Sequence, residues 1–412
     1  MERQETAEAT RTRSGRPATL LMLVALLLLA YNLRPTATQI GPVMPDLRRD
    51  LGMGAGVAGV LAALPTLCFG VFGFLAPGLA ARLGTHRLLL GAMAAVTVGA
   101  AGRSMVSDPW LFLALSGVAL AGMATGNVIA PSVIRHHFPH KIGFITALYS
   151  LVLSIGVAVS SALTVPMTTL LGGWRAAFLS STSIALLALV PWALAVWRVP
   201  EMRPARSTRD APVRAIPVSA VAHTPLGWAL GIFFGLQSAQ AYTTFAWLPT
   251  LYMDAGLSQE LAGWMLGLVT GLGIPLAFVI PNWVARWPSP LGMMLVISAC
   301  GTIAYVGLLL VPATLPWLWS VLLAIGLSNF PLILALFGLK ARTAAGTAGL
   351  SGFAQGLGYL VALGGPFSVG LMYGRTGTWT ASLVMLIGAS LLMTVAGVVT
   401  IRRPLIEDEL GH

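Results

Sequence analysis

The sequence predicts an all-α polytopic membrane protein, with twelve transmembrane helices in two pseudo-symmetric six-helix bundles. Three observations predict it. Of the 412 residues, 57% are hydrophobic and only 9% charged, whereas a soluble domain carries about 25% charged residues. Twelve apolar runs long enough to cross a hydrocarbon layer recur, near 20–44, 57–80, 87–106, 109–133, 143–170, 174–197, 224–252, 260–284, 291–311, 315–338, 346–373 and 378–400. The first half also repeats in the second. At a shift of 204 residues Pro45 falls on Pro249, Asp50 on Asp254, Gly52 on Gly256, Ala58-Gly59 on Ala262-Gly263 and Arg82 on Arg286. One register that holds across two helices and both their connections marks a duplication.

Taken in order, residues 1–17 are a polar tail expected to be disordered in the cytoplasm. Residues 18–199 make the first bundle and 223–402 the second. Between them, 200–222 is a cytoplasmic linker with Arg203, Arg206, Arg209, Arg214 and four prolines, and 403–412 is a cytoplasmic tail. No cleavable signal is expected, because the first apolar run continues through Arg34 into a mature helix. The formal charge of +11 follows topology and implies no nucleic-acid partner. With the N-terminus inside, eighteen basic residues fall on the cytoplasmic side; only Arg48, Arg49, Arg103, Arg175 and Arg375 fall outside. That bias predicts a multi-pass protein of the cell membrane with both termini cytoplasmic. Cys68 and Cys300 lie inside apolar runs and read as packing residues, not as a disulfide or metal site.

Arg34 is the basic residue left over, inside the first helix. Counting ~1.5 Å per residue, it lies about 20 Å from that helix's start, within a hydrocarbon layer ~30 Å thick. A guanidinium there stays charged and is costly against lipid, so it faces protein or a water-filled cavity. All thirteen acids fall in tails or at helix ends. Two readings follow. Arg34 anchors an anion or electron-rich polar ligand, or carbonyls and amides satisfy it and it locks helices together.

At 100° per residue, Leu27, Tyr31, Arg34, Thr38 and Gly41 share one face of this helix, and Asn32, Thr36 and Gln39 the other. Pro35 frees the carbonyl of Tyr31 and bends the chain there. Asn32 either serves that disturbed turn or touches ligand. The repeat maps Arg34 onto Ser238 and Thr38 onto Tyr242, next to Gln237, so this face of helix seven is expected to look across the cavity at Arg34. Tyr242 has a second reading, as an interfacial aromatic like Trp247 and Tyr252. At a shift of about 202, Tyr149, Leu153 and Gly156 of helix five match Ser351, Gln355 and Gly358 of helix eleven. Gln355 in an apolar helix needs a hydrogen-bond partner. Asn127 and Asn329 match in the same way, either as substrate contacts or as glue between helices. The glycines of helix eleven suit close packing and sliding.

Two parallel six-helix halves resemble the layout of the major facilitator superfamily, which places the substrate near the midplane between the halves. Gly78-Leu79-Ala80-Ala81-Arg82-Leu83-Gly84-Thr85-His86-Arg87 resembles that superfamily's signature between helices two and three. It departs at Ala81, where the family has an aspartate, and at Thr85-His86, where it has basic residues. Asn32-Leu33-Arg34-Pro35 with Gly41-Pro42 resembles the opening motif of the cyanate/nitroimidazole porter family. So do Leu64 to Gly70, Gly235-Leu236-Gln237-Ser238, Trp247-Leu248-Pro249 and Leu350 to Tyr359. Leu327-Ser328-Asn329 and Gly374-Arg375 depart from its pattern. The resemblance implies transport of a small molecule such as cyanate or a nitroimidazole, in a direction it does not fix.

The expected function is therefore alternating-access transport, secondary active or facilitative, of a small anion or polar molecule around Arg34. Thr38, Tyr31, Asn32, Gln237, Ser238, Tyr242, Gln355, Tyr149 and Asn127 are its other candidate contacts. The alternatives are an exporter of neutral aromatic compounds and, remotely, an intramembrane enzyme. The enzyme would need paired acids, a metal cluster or a nucleophile–base pair in the bilayer, and no apolar run holds one. His136, His137 and His140 at the inner end of helix four titrate near neutrality or are solvated interfacial residues. No Gly-rich Gly-Lys-Ser/Thr phosphate loop is present, so ATP is not expected to drive transport directly. No cofactor is expected; the partners are a small-molecule or small-anion substrate and membrane lipids, and the expected state is a monomer.

Overall fold

The structure is a computed structural model and describes residues 18–199, 218–284 and 289–411. The N-terminal tail, most of the basic linker and Arg286 lie outside them. In chain order the helices are α1 (18–32), α2 (Pro35–Thr38), a 3-10 turn (Gly41–Val43), α3 (Met44–Asp50), α4 (Ala55–Leu83), α5 (Thr85–Met105), α6 (Pro109–His137), α7 (Ile142–Leu170) and α8 (Trp174–Arg198). The short α9 (Val218–Val221) leads to α10 (Pro225–Asp254), α11 (Gln259–Val284), α12 (Leu291–Leu310), α13 (Pro316–Leu327) and α14 (Asn329–Leu339). Then come α15 (Ala344–Thr376), α16 (Thr380–Arg402) and α17 (Ile406–Glu409). The described residues contain no strand. Eleven spans among them are long and apolar enough to cross a membrane. The 30-residue α10 is long enough too, but its Gln237, Ser238, Gln240, Thr243 and Thr244 make it more polar than those eleven.

The first span departs from the expected continuous helix. Helical conformation stops at Leu33–Arg34, restarts for α2, and gives way again to the turn at Gly41. Pro35 explains the first break. It has no N–H to give the Tyr31 carbonyl, its ring crowds that carbonyl, and it drives the residue before it, Arg34, out of helical conformation. Pro42 sits in the first turn of the next helical piece, where a missing N–H costs nothing. The tenth span is also split, into α13 and α14 at Ser328.

The duplication is visible in the backbone. Gly52 and Gly256 both take positive φ, 61° and 96°, just past the ends of α3 and α10. There Met53 N donates to Arg48 O at 2.9 Å, and Leu257 N donates to Tyr252 O at 3.0 Å, the same bond 204 residues apart. This six-residue closure with a left-handed glycine is how a helix satisfies its last carbonyls. The side chains repeat it as well. The indole of Trp174 donates to Asp50 at 3.0 Å, and that of Trp379 to Asp254 at 2.9 Å.

Close packing divides the described chain into two compact units. One lies within Met1–Ala37, Val71–Val157 and Arg175–Ser207; the other within Thr38–Gly70, Ala158–Trp174 and Thr208–His412. In the first, Met22, Ala25, Leu26, Leu29, Ala30 and Leu33 form the buried stripe of α1. Its α5 and α6 approach so closely that a Cβ at Gly99 would overlap backbone atoms of Leu115 and Ala119. In the second unit α10 and α15 approach equally closely, through Gly235 against Val361 and Gly358 against Phe234. There the 41–70 stretch also touches second-half helices, with Gly41 against the Phe245 carbonyl and Gly59 against Phe367 and Gly370.

The tail ends in a carboxylate clasp inside the second unit. Glu407, 6% exposed, accepts from the backbone N–H groups of Arg342 and Thr343 at 3.0 Å each and from the Thr343 hydroxyl at 2.9 Å. Glu409 accepts from Leu226 N at 3.0 Å, in the first turn of α10. Burial alone would raise the Glu407 carboxyl, but these donors hold it below the usual carboxylate range. Its contribution to stability is therefore complete above about pH 4.3 and lost as pH falls through the lowered folded value. We expect Glu407→Ala to cost about 1–2 kcal/mol at pH 7. The melting temperatures of wild type and variant should draw together in acid, once pH has fallen through the lowered folded value; a gap unchanged across the whole acid range would remove the carboxylate as its cause.

Candidate functional site

Within the first unit the candidate residues gather around the break in the first span. The open face of α1 runs through Leu27 and Tyr31 to Arg34, each partly exposed, while the residues between them are mostly buried. Facing them on α7 is Tyr149, 7% exposed. The Arg34 guanidinium is near enough to act electrostatically on its hydroxyl, and that hydroxyl is buried with no hydrogen-bond partner among the described residues. About two turns further, Gly156 of α7 lies so close to the freed Tyr31 carbonyl that a Cβ would overlap the oxygen. The α7 stripe of Tyr149 and Gly156 thus lies along the break.

Asn32 faces away from this opening. It is 5% exposed, and its amide donates to Leu28 O at 2.8 Å and to Ile184 O of α8 at 3.4 Å. It supports the turn before the break and ties it to α8. Asn127 of α6 is partly exposed and forms no hydrogen bond with another described residue. Arg103, which the sequence counts among the charges of the outer side, is 1% exposed and donates from Nη1 to Thr36 O at 2.9 Å. It sits in the last turn of α5, and nothing in the sequence there signals the contact with Thr36.

The second unit holds the remaining candidates. Thr38 is 1% exposed and shares a 2.7 Å hydrogen bond with Ser160 of α7. Gln237 is 1% exposed, and its amide donates at 2.6 Å to Leu327 O, the last residue of α13 before the split at Ser328. Ser238 is 4% exposed. Gln355 is partly exposed and finds its partner one turn back, donating to Ser351 at 2.6 Å. Asn329 is buried and donates to Ser298 at 3.0 Å, which makes it glue between α14 and α12.

Tyr242 belongs to a run of rings. Its centroid is 6.5 Å from Phe69 and 6.2 Å from Phe245. Phe69 stacks on Tyr359 at 6.0 Å, and Tyr359 meets Phe234 edge-on at 5.3 Å. The histidines at the end of α6 are joined across to α5, with His86 Nε2 and His137 Nε2 3.0 Å apart, so one ring donates to the other.

Among the described residues of the spans lie the partly exposed Arg34 guanidinium, hydroxyls, amides and aromatic rings. Among the described residues no group of three or more metal-ligating side chains comes together. These groups act on a neighbour through charge, hydrogen bonds and ring stacking.

Comparison with known proteins agrees. The family model described as Major Facilitator Superfamily matches residues 20–363. A Bacillus subtilis (strain 168) protein named Uncharacterized transporter YycB is 36% identical over 381 residues, 91% of this chain and 92% of its own. The 2-nitroimidazole transporter of Escherichia coli (strain K12) is 31% identical, covering 92% of this chain and 94% of its own. The cyanate transport protein CynX of the same organism is 29% identical, over 87% and 91%. Among solved structures, nucleoside transporter NupG superposes with a TM-score of 0.74 at 12% identity, covering 94% of this chain and 99% of that one, a likeness of fold alone. The chain is a multi-pass membrane transporter, not an enzyme, and it belongs to the major facilitator superfamily, alongside the cyanate and nitroimidazole porters.

Proposed function

We propose that this transporter carries a small anion or compact polar solute of the cyanate or nitroimidazole kind, bound through Arg34 and moved by alternating access. The observation that carries this reading is the pairing of a partly exposed guanidinium at an unwound stretch with an unsatisfied hydroxyl, Tyr149, beside it. Broken spans are where transporters of this architecture hold substrate, because irregular backbone at membrane depth is tolerated only against protein or a water-filled cavity. A buried hydroxyl without a partner is costly, and a ligand oxygen or nitrogen held by Arg34 relieves that cost. Tyr31 and Asn127 are the other ligand-side groups of that unit. Asn32, Thr38 and Gln237 serve the backbone and neighbouring helices. The names of the relatives support the same substrate class. The protein works as a monomer in the cell membrane, with both termini cytoplasmic as the charge bias requires.

A second reading, export of a neutral aromatic compound, draws on the ring series Tyr242, Phe69, Tyr359 and Phe234. Thermal shift of the purified protein separates the two. Stabilisation by cyanate, nitrate or small carboxylates supports the anion reading, since a ligand that binds only the folded state raises its melting temperature. Stabilisation by bulkier uncharged aromatics alone, with neither small anions nor nitroimidazoles effective, moves the assignment to the ring series, and no shift with any of them overturns both.

Tyr149→Phe gives a sharper check. Deleting an unsatisfied buried hydroxyl should leave the unliganded protein as stable or up to about 1 kcal/mol more stable. Ligand affinity should fall about tenfold. Equal affinity in both proteins would place Tyr149 outside the site.

A further inference from the structure

We propose that Arg103 is a positioning residue for Arg34: it holds the Thr36 carbonyl and so fixes the broken stretch that carries the binding guanidinium. Arg103 sits in the last turn of α5 and is 1% exposed. Its Nη1 donates to Thr36 O at 2.9 Å. Its guanidinium carbon lies 4.5 Å from the ring centroid of Phe178 on α8 and 5.9 Å from that of Phe112 on α6. Three helices of the first unit thus converge on one cation, and that cation reaches into the first span two residues past Arg34.

The physical need is specific. An unwound stretch loses the rigidity of the i to i−4 ladder, and lipid provides no donors for its carbonyls. Leu33 N reaches back only to Ala30 O, at 3.3 Å, and Ala37 N to Arg34 O, at 3.0 Å, so the stretch is held by short local turns. Asn32 ties its near side to α8 through Ile184 O, and Arg103 ties its far side through Thr36 O. A guanidinium suits the task. It stays charged, its planar fork holds direction, and it stacks on aromatic faces. With Thr36 held, the peptide between it and Arg34 has little freedom, and Arg34 projects from a fixed base. The two arginines divide the work, one buried to hold the backbone and one partly exposed to meet the solute. The transport consequence rests on the Arg34 reading; the tethering itself does not.

Hydrogen–deuterium exchange on the full-length protein in lipid nanodiscs, with [14C]cyanate uptake into proteoliposomes, tests it. Arg103→Met fills the space without the charge. We expect exchange to rise about tenfold in the peptide covering 30–38 and to stay near wild type in α12 and α16. Uptake KM should rise about tenfold with Vmax changed less than about twofold, and Arg103→Lys should restore part of the KM. Phe178→Leu, a milder change that keeps the carbonyl contact, should raise exchange in the same peptide by a smaller factor. Unchanged exchange over 30–38 in both variants overturns the proposal, as does a rise spread evenly over all helices. Should Arg103→Met fail to fold, Phe178→Leu alone decides by the same peptide. Raised exchange over 30–38 with unchanged cyanate KM would keep the tether and refute only the binding role of Arg34.

Discussion

Arg34→Ala should fold and insert normally yet lose uptake by roughly two orders of magnitude at subsaturating substrate. The reasoning is energetic. A guanidinium gripping an anion through two charge-assisted hydrogen bonds contributes about 3 kcal/mol, which is roughly a hundredfold in affinity. Folding should survive because the α1 stripe that packs the first unit, from Met22 to Leu33, does not include Arg34. Removing a charge from membrane depth also relieves a cost instead of adding one. Arg34→Lys keeps the charge but loses the planar fork, so it should fall between, with roughly a tenfold loss. The check is uptake of labelled cyanate and of 2-nitroimidazole into proteoliposomes at matched protein density. If both enter at wild-type rates through Arg34→Ala, the guanidinium holds helices and not solute.

Gly156→Ala should be nearly as damaging, through packing alone. A Cβ at Gly156 would overlap the Tyr31 carbonyl oxygen. That atom is backbone, so it cannot swing aside as a side-chain tip can. Relief requires α7 and the broken stretch to separate by some tenths of an ångström. Overpacking of this kind costs about 1–3 kcal/mol. Here the strain falls on the peptide three residues before Arg34, so uptake should drop at least about tenfold even where the protein stays folded. Melting temperature and uptake should therefore both fall. Gly364→Ala, on α15 where a Cβ meets nothing within 4 Å, serves as the control and should change neither. Wild-type uptake in Gly156→Ala would mean that the contact yields freely and does not set the geometry of the break.

Much of this molecule is legible in the order of its residues. The class, the twelve spans and the duplication follow from apolar runs of membrane length and from one register of 204, because lipid imposes length and hydropathy on each segment separately. The place of the break is legible too, since proline acts on its own neighbours: Pro35 strips a bond from Tyr31 and pushes Arg34 from the helix wherever the rest of the chain lies. Arg34 as the cation left inside the membrane could likewise be found by counting charges along the chain. Which polar side chains are spent on the protein could be settled only by the tertiary structure. Thr38 and Arg34 share a helical face in sequence, yet Thr38 is buried against Ser160 while Arg34 keeps partial exposure. Gln237 reads as a cavity amide and instead serves the Leu327 carbonyl at a split in another span. Arg103 counts in sequence only as one of the outer-side charges, and in the structure it is buried on the carbonyl of Thr36. The physical reason is common to all three. A hydrogen bond to a residue 67, 90 or 122 positions away leaves no periodicity in the sequence, and a polar group looks the same there whether it faces a neighbour or a solute.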